Sequence, residues 1–125
     1  MDGKRDGMKR ILIVDDQNGI RLLLQEVFRR EGHEPVLAKN GFEALEKFRE
    51  ETPDCVLLDM KMPGMDGIEV LREIKAASLG TPVLMMTAYG EQEQIDAAKE
   101  LGASGYFTKP FDIHELKDAV AALLG

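Results

Sequence analysis

The chain has one cysteine, no tryptophan and 6% aromatic residues in 125 positions. The lone thiol, Cys55, lies inside the apolar run Cys55-Val56-Leu57-Leu58. It excludes a disulfide within the chain and leaves a thiolate zinc site without its other ligands, a usage that suits a reducing cytoplasm. Basic residues are outnumbered, 16 Lys and Arg against 23 Asp and Glu, for a formal net charge of -7. Such a chain repels phosphate backbones and anionic lipid, so neither nucleic acid nor membrane is expected as a partner. No apolar run approaches the roughly 18 residues of a membrane span, and the N-terminal MDGKRDGM has no apolar stretch resembling a signal peptide. Residues 1–8 read as a short mobile tail, and 9–125 as one domain of ordinary size.

What the chain does have is rhythm. Apolar runs of strand length recur at 11–14, 35–38, 55–58, 83–86 and, more weakly, 105–107, each followed by helical spacing. The predicted helices cover about 17–31, 41–51, 66–77, 91–101 and 112–124. Gly32 and Gly102 stand where helices stop, Asp66 and Asp112 where they start, and Glu115 completes a capping box with Asp112. Because the central runs are continuous rather than alternating, the strands are covered on both faces. That is the mark of a doubly wound α/β fold, a five-stranded parallel sheet in (βα)5 arrangement with helices on both sides.

In such a sheet all strands end along one edge, and ligands bind there. The first strand delivers Asp15 and Asp16 to that edge, the third Asp59, the fourth Thr87, and the fifth Thr108 and Lys109. Two carboxylates about 5 Å apart repel by roughly 3 kcal/mol at an effective dielectric near 20. A proton or a cation must therefore compensate them. A hard divalent ion such as Mg²⁺, held by carboxylates, water and phosphate oxygens, matches the available donors. Lys109 adds a point charge suited to a carboxylate or phosphate, and Thr87 a hydroxyl.

These residues, in the stretches DDQNGIRLLLQEVF, LLDMKMPGMDGIEVL, MMTAYGE and KPFDIHEL, together resemble the receiver domain of two-component response regulators over nearly the whole chain. The resemblance implies the strand order 2-1-3-4-5. It implies Asp59 as the phosphoacceptor, with Lys109 and Thr87 assisting. It implies Mg²⁺, with Mn²⁺ as an alternative, bound by Asp15, Asp16, Asp59 and the backbone carbonyl of Lys61. It further implies a switch built on Thr87 and Tyr106, and a cis Lys109-Pro110 bond. The implied activity is that of a limited enzyme, a self-phosphorylating Mg²⁺-dependent phosphotransfer intermediate without conventional turnover.

The last helix runs to the end of the chain, so a stand-alone receiver is expected, handing its signal on by phosphotransfer or protein binding. The wording of the motifs is similar to single-domain receivers of the sporulation phosphorelay type. The implied partners are a sensor histidine kinase, a histidine phosphotransferase and an aspartyl-phosphate phosphatase, with the receiver itself monomeric. The alternative is a chemotaxis-type regulator that binds a target without onward transfer. Partner-contact candidates are Gln17, Ile20, Leu23, Pro110 and Phe111. Ile20, Leu23, Leu24, Val27 and Phe28 form the apolar stripe of the first helix, and Leu22 falls off it.

Other readings fit less well. A calcium loop from Asp59 fails because Lys61 and Pro63 stand where oxygen ligands belong and Val70 replaces the closing Glu. A haloacid-dehalogenase-type hydrolase needs a second Asp where Gln17 stands. A flavodoxin-like FMN carrier needs a hydroxyl-rich loop after the first strand, not two carboxylates. His33 and His114 have no metal partner at useful spacing and read as structural or solvated.

Overall fold

The computed structural model describes residues 8–88 and 91–125. The expected tail therefore falls almost wholly outside the described residues. Five strands alternate with five helices: β1 Arg10–Val14, α1 Asn18–Arg30, β2 Glu34–Ala38, α2 Gly41–Glu50, β3 Cys55–Asp59, α3 Gly67–Ala77, β4 Val83–Thr87, α4 Gln92–Glu100, β5 Gly105–Thr108 and α5 Ile113–Leu124. The sheet is parallel in the order β2-β1-β3-β4-β5.

Alternation along each strand divides the core in two. Leu12, Val14, Val56, Leu58, Val83 and Met85 face α2, α3 and α4. Ile11, Ile13, Cys55, Leu57, Leu84 and Met86 face α1 and α5. Both faces of β1, β3 and β4 are thus apolar, which is why those strands read as unbroken runs. The flanking strands are less covered: β2 is half-buried over most of its length, and β5 alternates between half-buried and exposed positions.

Helix ends follow local chemistry. Asn40 Oδ1 accepts from Glu43 N at 2.8 Å and Asp66 Oδ1 from Glu69 N at 3.0 Å, each satisfying an orphan amide of the first turn. Asp112 Oδ1 accepts from His114 N and Glu115 N. The return bond expected from Glu115 does not form among the described residues, so half of the capping box is present. Gly32 and Gly102 end α1 and α4 at φ +84° and +100°, the left-handed conformation that glycine adopts without a Cβ clash.

The structure separates the residues of the α1 stripe. Leu24 and Phe28 are buried, and Ile20 and Val27 pack against them, but Leu23 is 45% exposed and lies beside Leu22 at 50%. The core-facing stripe is therefore narrower than the residue pattern suggests, although α1 packs on both β1 and β2.

Candidate functional site

The parallel register builds the site. Val14 pairs with Leu58 and Asp59 with Met86, so the residues following β1 and ending β3 meet at one edge. Carboxylate oxygens of Asp15, Asp16 and Asp59 lie within 4.8 Å of one another. Asp15 is fully buried, Asp59 nearly so, and Asp16 is exposed.

Asp15 and Asp59 are held by specific donors. Asp15 Oδ1 accepts from Gln17 N at 2.8 Å, and its Oδ2 accepts from Lys109 Nζ at 2.7 Å. The same ammonium reaches Asp59 Oδ1 and Gln17 Oε1, both at 3.4 Å. Lys109 directly follows β5, where its N–H donates to Thr87 O at 2.7 Å, and the Lys109-Pro110 peptide is cis.

The crowding appears in the acidities. Asp59 is pushed up to about 7, first by burial and then by the negative charge of Asp15, with a hydrogen bond to Asp16 acting in the same direction and Lys109 opposing. Burial alone would lower the Lys109 ammonium, but its hydrogen bond to Asp15 and the charges of both carboxylates outweigh this and raise it. Three hard oxygen donors with one half-buried ammonium among them carry a net negative charge that a metal cation would balance. The donor set fits a hard divalent ion. Lys61 lies on the loop leaving β3, with its side chain exposed and 3.5 Å from Glu91 Oε2.

Thr87 is fully buried, and its hydroxyl donates to the carbonyl of Phe107 at 3.4 Å rather than to a carboxylate. Next to that carbonyl, the Tyr106 ring is exposed, with Lys99 Nζ 5.1 Å from its centroid. Of the contact candidates, Gln17, Leu23 and Pro110 are exposed beside the site, whereas Ile20 and Phe111 are half-buried against the α1/α5 core. His33 Nδ1 accepts from Lys9 N at 3.3 Å, a structural role, and His114 is exposed.

Two residues escaped the sequence reading. Arg21 donates from Nη1 to Asp15 O at 2.7 Å and from Nη2 to Asn18 Oδ1 at 3.1 Å, clamping the acidic turn. Its place four residues after Gln17, one turn into α1, was the signal available. Glu91, the first residue of the predicted fourth helix, is buried and accepts from Ala88 N at 2.6 Å. No spacing rule marks it.

Comparison with known proteins agrees with this geometry. The chain is 55% identical to the sporulation initiation phosphotransferase F of Bacillus subtilis over 93% of its own length and 94% of the relative's. It is 40% identical to the chemotaxis protein CheY of Halobacterium salinarum, covering 93% of this chain and 97% of that one. Its fold superposes on a response regulator receiver domain protein from Clostridium thermocellum with a TM-score of 0.88 at 30% identity, covering 93% and 94% of the two chains. Residues 11–121 match the response regulator receiver domain family. With its acidic edge, its lysine and its sheet order all in place, the chain belongs to that family.

Proposed function

We propose that the protein is a phosphorelay intermediate that accepts a phosphoryl group on Asp59 from the phosphohistidine of a sensor kinase and passes it to a histidine phosphotransferase. The observation that carries this reading is the meeting of Asp15, Asp16 and Asp59 with Lys109 at one open edge of the sheet.

Asp59 Oδ attacks phosphorus in line with the departing imidazole. The P–N bond breaks as the O–P bond forms, and its electron pair stays on the histidine nitrogen. Lys109, already within reach of Asp59, neutralises phosphoryl oxygen as charge develops. Asp15, Asp16, Asp59 and the carbonyl of Lys61 would hold Mg²⁺, or Mn²⁺ in its place, and such an ion would supply further neutralisation of phosphoryl oxygen charge. Thr87 then turns its hydroxyl from Phe107 O to the phosphoryl group and Tyr106 turns inward, a two-state element biased by one local charge. Gln17, Ile20, Leu23, Pro110 and Phe111 border the face on which kinase, phosphotransferase and phosphatase dock, in the cytoplasm.

Incubation with Mg²⁺ and acetyl phosphate followed by intact mass spectrometry tests the acceptor. Wild type gains one phosphoryl group and Asp59→Asn gains none; labelling of the variant would assign the wrong aspartate. Labelled protein mixed with a histidine phosphotransferase then tests the relay. Reversible loss of label to the histidine protein is expected. Retention of label together with phosphorylation-dependent binding of a target protein would favour the chemotaxis-type reading, which the 40% identity to a chemotaxis protein supports.

A further inference from the structure

Among the described residues three carboxylates are buried: Asp15, Asp59 and Glu91. The first two belong to the acceptor cluster, and Glu91 does not. Although it occupies the N-cap of α4, its side chain caps nothing in that helix. Its Oε1 accepts from Ala88 N at 2.6 Å, and its Oε2 lies 3.5 Å from Lys61 Nζ. Ala88 follows Thr87 at the end of β4, and Lys61 stands two residues beyond Asp59 at the end of β3. β3 and β4 are paired, with Asp59 opposite Met86, so both donors sit on the edge that carries the acceptor.

A backbone N–H and an ammonium converging on one covered carboxylate form a cradle for an anion. We propose that Glu91 is an internal anion occupying donors that a phosphoryl group on Asp59 competes for. In the unphosphorylated protein Ala88 N–H and Lys61 serve Glu91. When Asp59 carries the phosphoryl group, the oxygens of that dianion take these donors and the Glu91 carboxylate is released. Glu91 thereby opposes phosphorylation and sets how much donor is needed to reach the phosphorylated state. The inference rests on Asp59 being the acceptor and adds a regulatory residue outside the acceptor cluster.

The test compares wild type, Glu91→Gln and Glu91→Ala in Mg²⁺, measuring the rate of labelling by acetyl phosphate and the affinity for beryllofluoride, with Asp59→Asn as control. The Gln variant keeps the shape of the side chain and removes its charge. It is expected to label faster and to bind beryllofluoride tighter by about three- to tenfold, the scale of the difference between a hydrogen bond to a charged acceptor and one to a neutral acceptor. The Ala88 amide resonance should shift when beryllofluoride binds wild type. Rates and affinities unchanged or reduced in the Gln variant would overturn the proposal, and that variant decides if Glu91→Ala fails to fold. Labelling of wild type but not of Asp59→Asn upholds the acceptor reading whatever Glu91 does. Absence of labelling in wild type would remove that reading, and the proposal with it.

Discussion

Lys109 Nζ is bonded to Asp15 at 2.7 Å and stands farther, at 3.4 Å, from Asp59. Its first partner is thus the fully buried carboxylate, and Asp59, the proposed acceptor, receives what remains of its field. Lys109 therefore balances the buried charge of Asp15, whatever part it takes in the proposed phosphotransfer.

Removing that ammonium leaves a buried carboxylate uncompensated. Breaking a buried pair costs about 3 to 5 kcal/mol, less where one partner is partly solvated as Lys109 is. Lys109→Gln is therefore expected to lose about 2 to 3 kcal/mol in urea unfolding without divalent metal. Mg²⁺ should recover more stability in the variant than in wild type, because the ion takes over the missing charge. Equal stability of the two proteins in metal-free buffer would show that Asp15 is satisfied without Lys109.

A second prediction concerns Gly67, the first residue of α3. A Cβ there would come within 2.3 Å of Asp59 O and 2.8 Å of Met60 Cα, both backbone atoms that cannot swing aside as a flexible side chain can. Gly67 N also donates to Met60 O at 2.8 Å, tying the helix start to the acceptor strand. Gly67→Ala must push α3 off the end of β3. A loss of about 3 kcal/mol, at the upper end for overpacking, is expected in thermal or urea unfolding. Asp59 labelling should slow as well, because the acceptor backbone moves. A variant as stable as wild type would mean that α3 shifts at little cost.

Much of this arrangement was legible in the residues, and the exceptions have physical causes. Continuous apolar runs announced β1, β3 and β4 because those strands are covered on both sides. Strand ends were read one residue short at Asp59, Thr87 and Thr108. Those polar residues close the strands and do not look like sheet to an apolar pattern. The carboxylates and Lys109 were found because several chemically suggestive residues fall at successive strand ends. Arg21 and Glu91 were not, since each acts through a backbone group of another residue, Asp15 O and Ala88 N. A backbone group leaves no mark in a sequence. Helical spacing puts Leu23 on one stripe with Leu24 and Phe28 but does not say how much of that stripe the sheet covers, so spacing alone leaves Leu23 open between core and partner contact.

Cys55 gives a prediction with a sign. Burial pushes its thiol up to about 12 from an ordinary value of 9.0. The folded state therefore binds this proton more tightly than the unfolded chain does. The resulting stability is fully present below pH 9 and is lost as pH rises through 9 toward 12. Over that window the slope approaches about 1.4 kcal/mol per pH unit for one proton. Other groups titrate there too, so the quantity to measure is the difference in unfolding free energy between wild type and Cys55→Ala from pH 8 to 11. The difference should narrow as pH rises. A constant difference would show that the thiol keeps its ordinary acidity in the fold. In the native protein at pH 8, the same burial should make alkylation of Cys55 far slower than in urea.

The exposed pair Leu22 and Leu23 separates docking from folding. Both project from α1 beside the acidic edge, at 50% and 45% exposure, whereas Ile20 on the same helix packs against the core. Adjacent exposed leucines gain little from the fold itself, which makes them the pair to test for the proposed docking role. Leu22→Lys and Leu23→Lys are expected to leave stability within about 0.5 kcal/mol of wild type. Ile20→Lys should cost about 1 to 3 kcal/mol, because a charge enters a half-covered apolar position. Labelling by acetyl phosphate, which requires no protein contact, should be unchanged in both leucine variants. Transfer from a phosphorylated histidine kinase should fall about tenfold or more when both leucines are replaced, since two anchors of roughly 1 kcal/mol each are lost. If transfer from the kinase proceeded at the wild-type rate in the double variant, docking would have to be sought on another face, with Pro110 and the exposed end of β5 the next surface to charge.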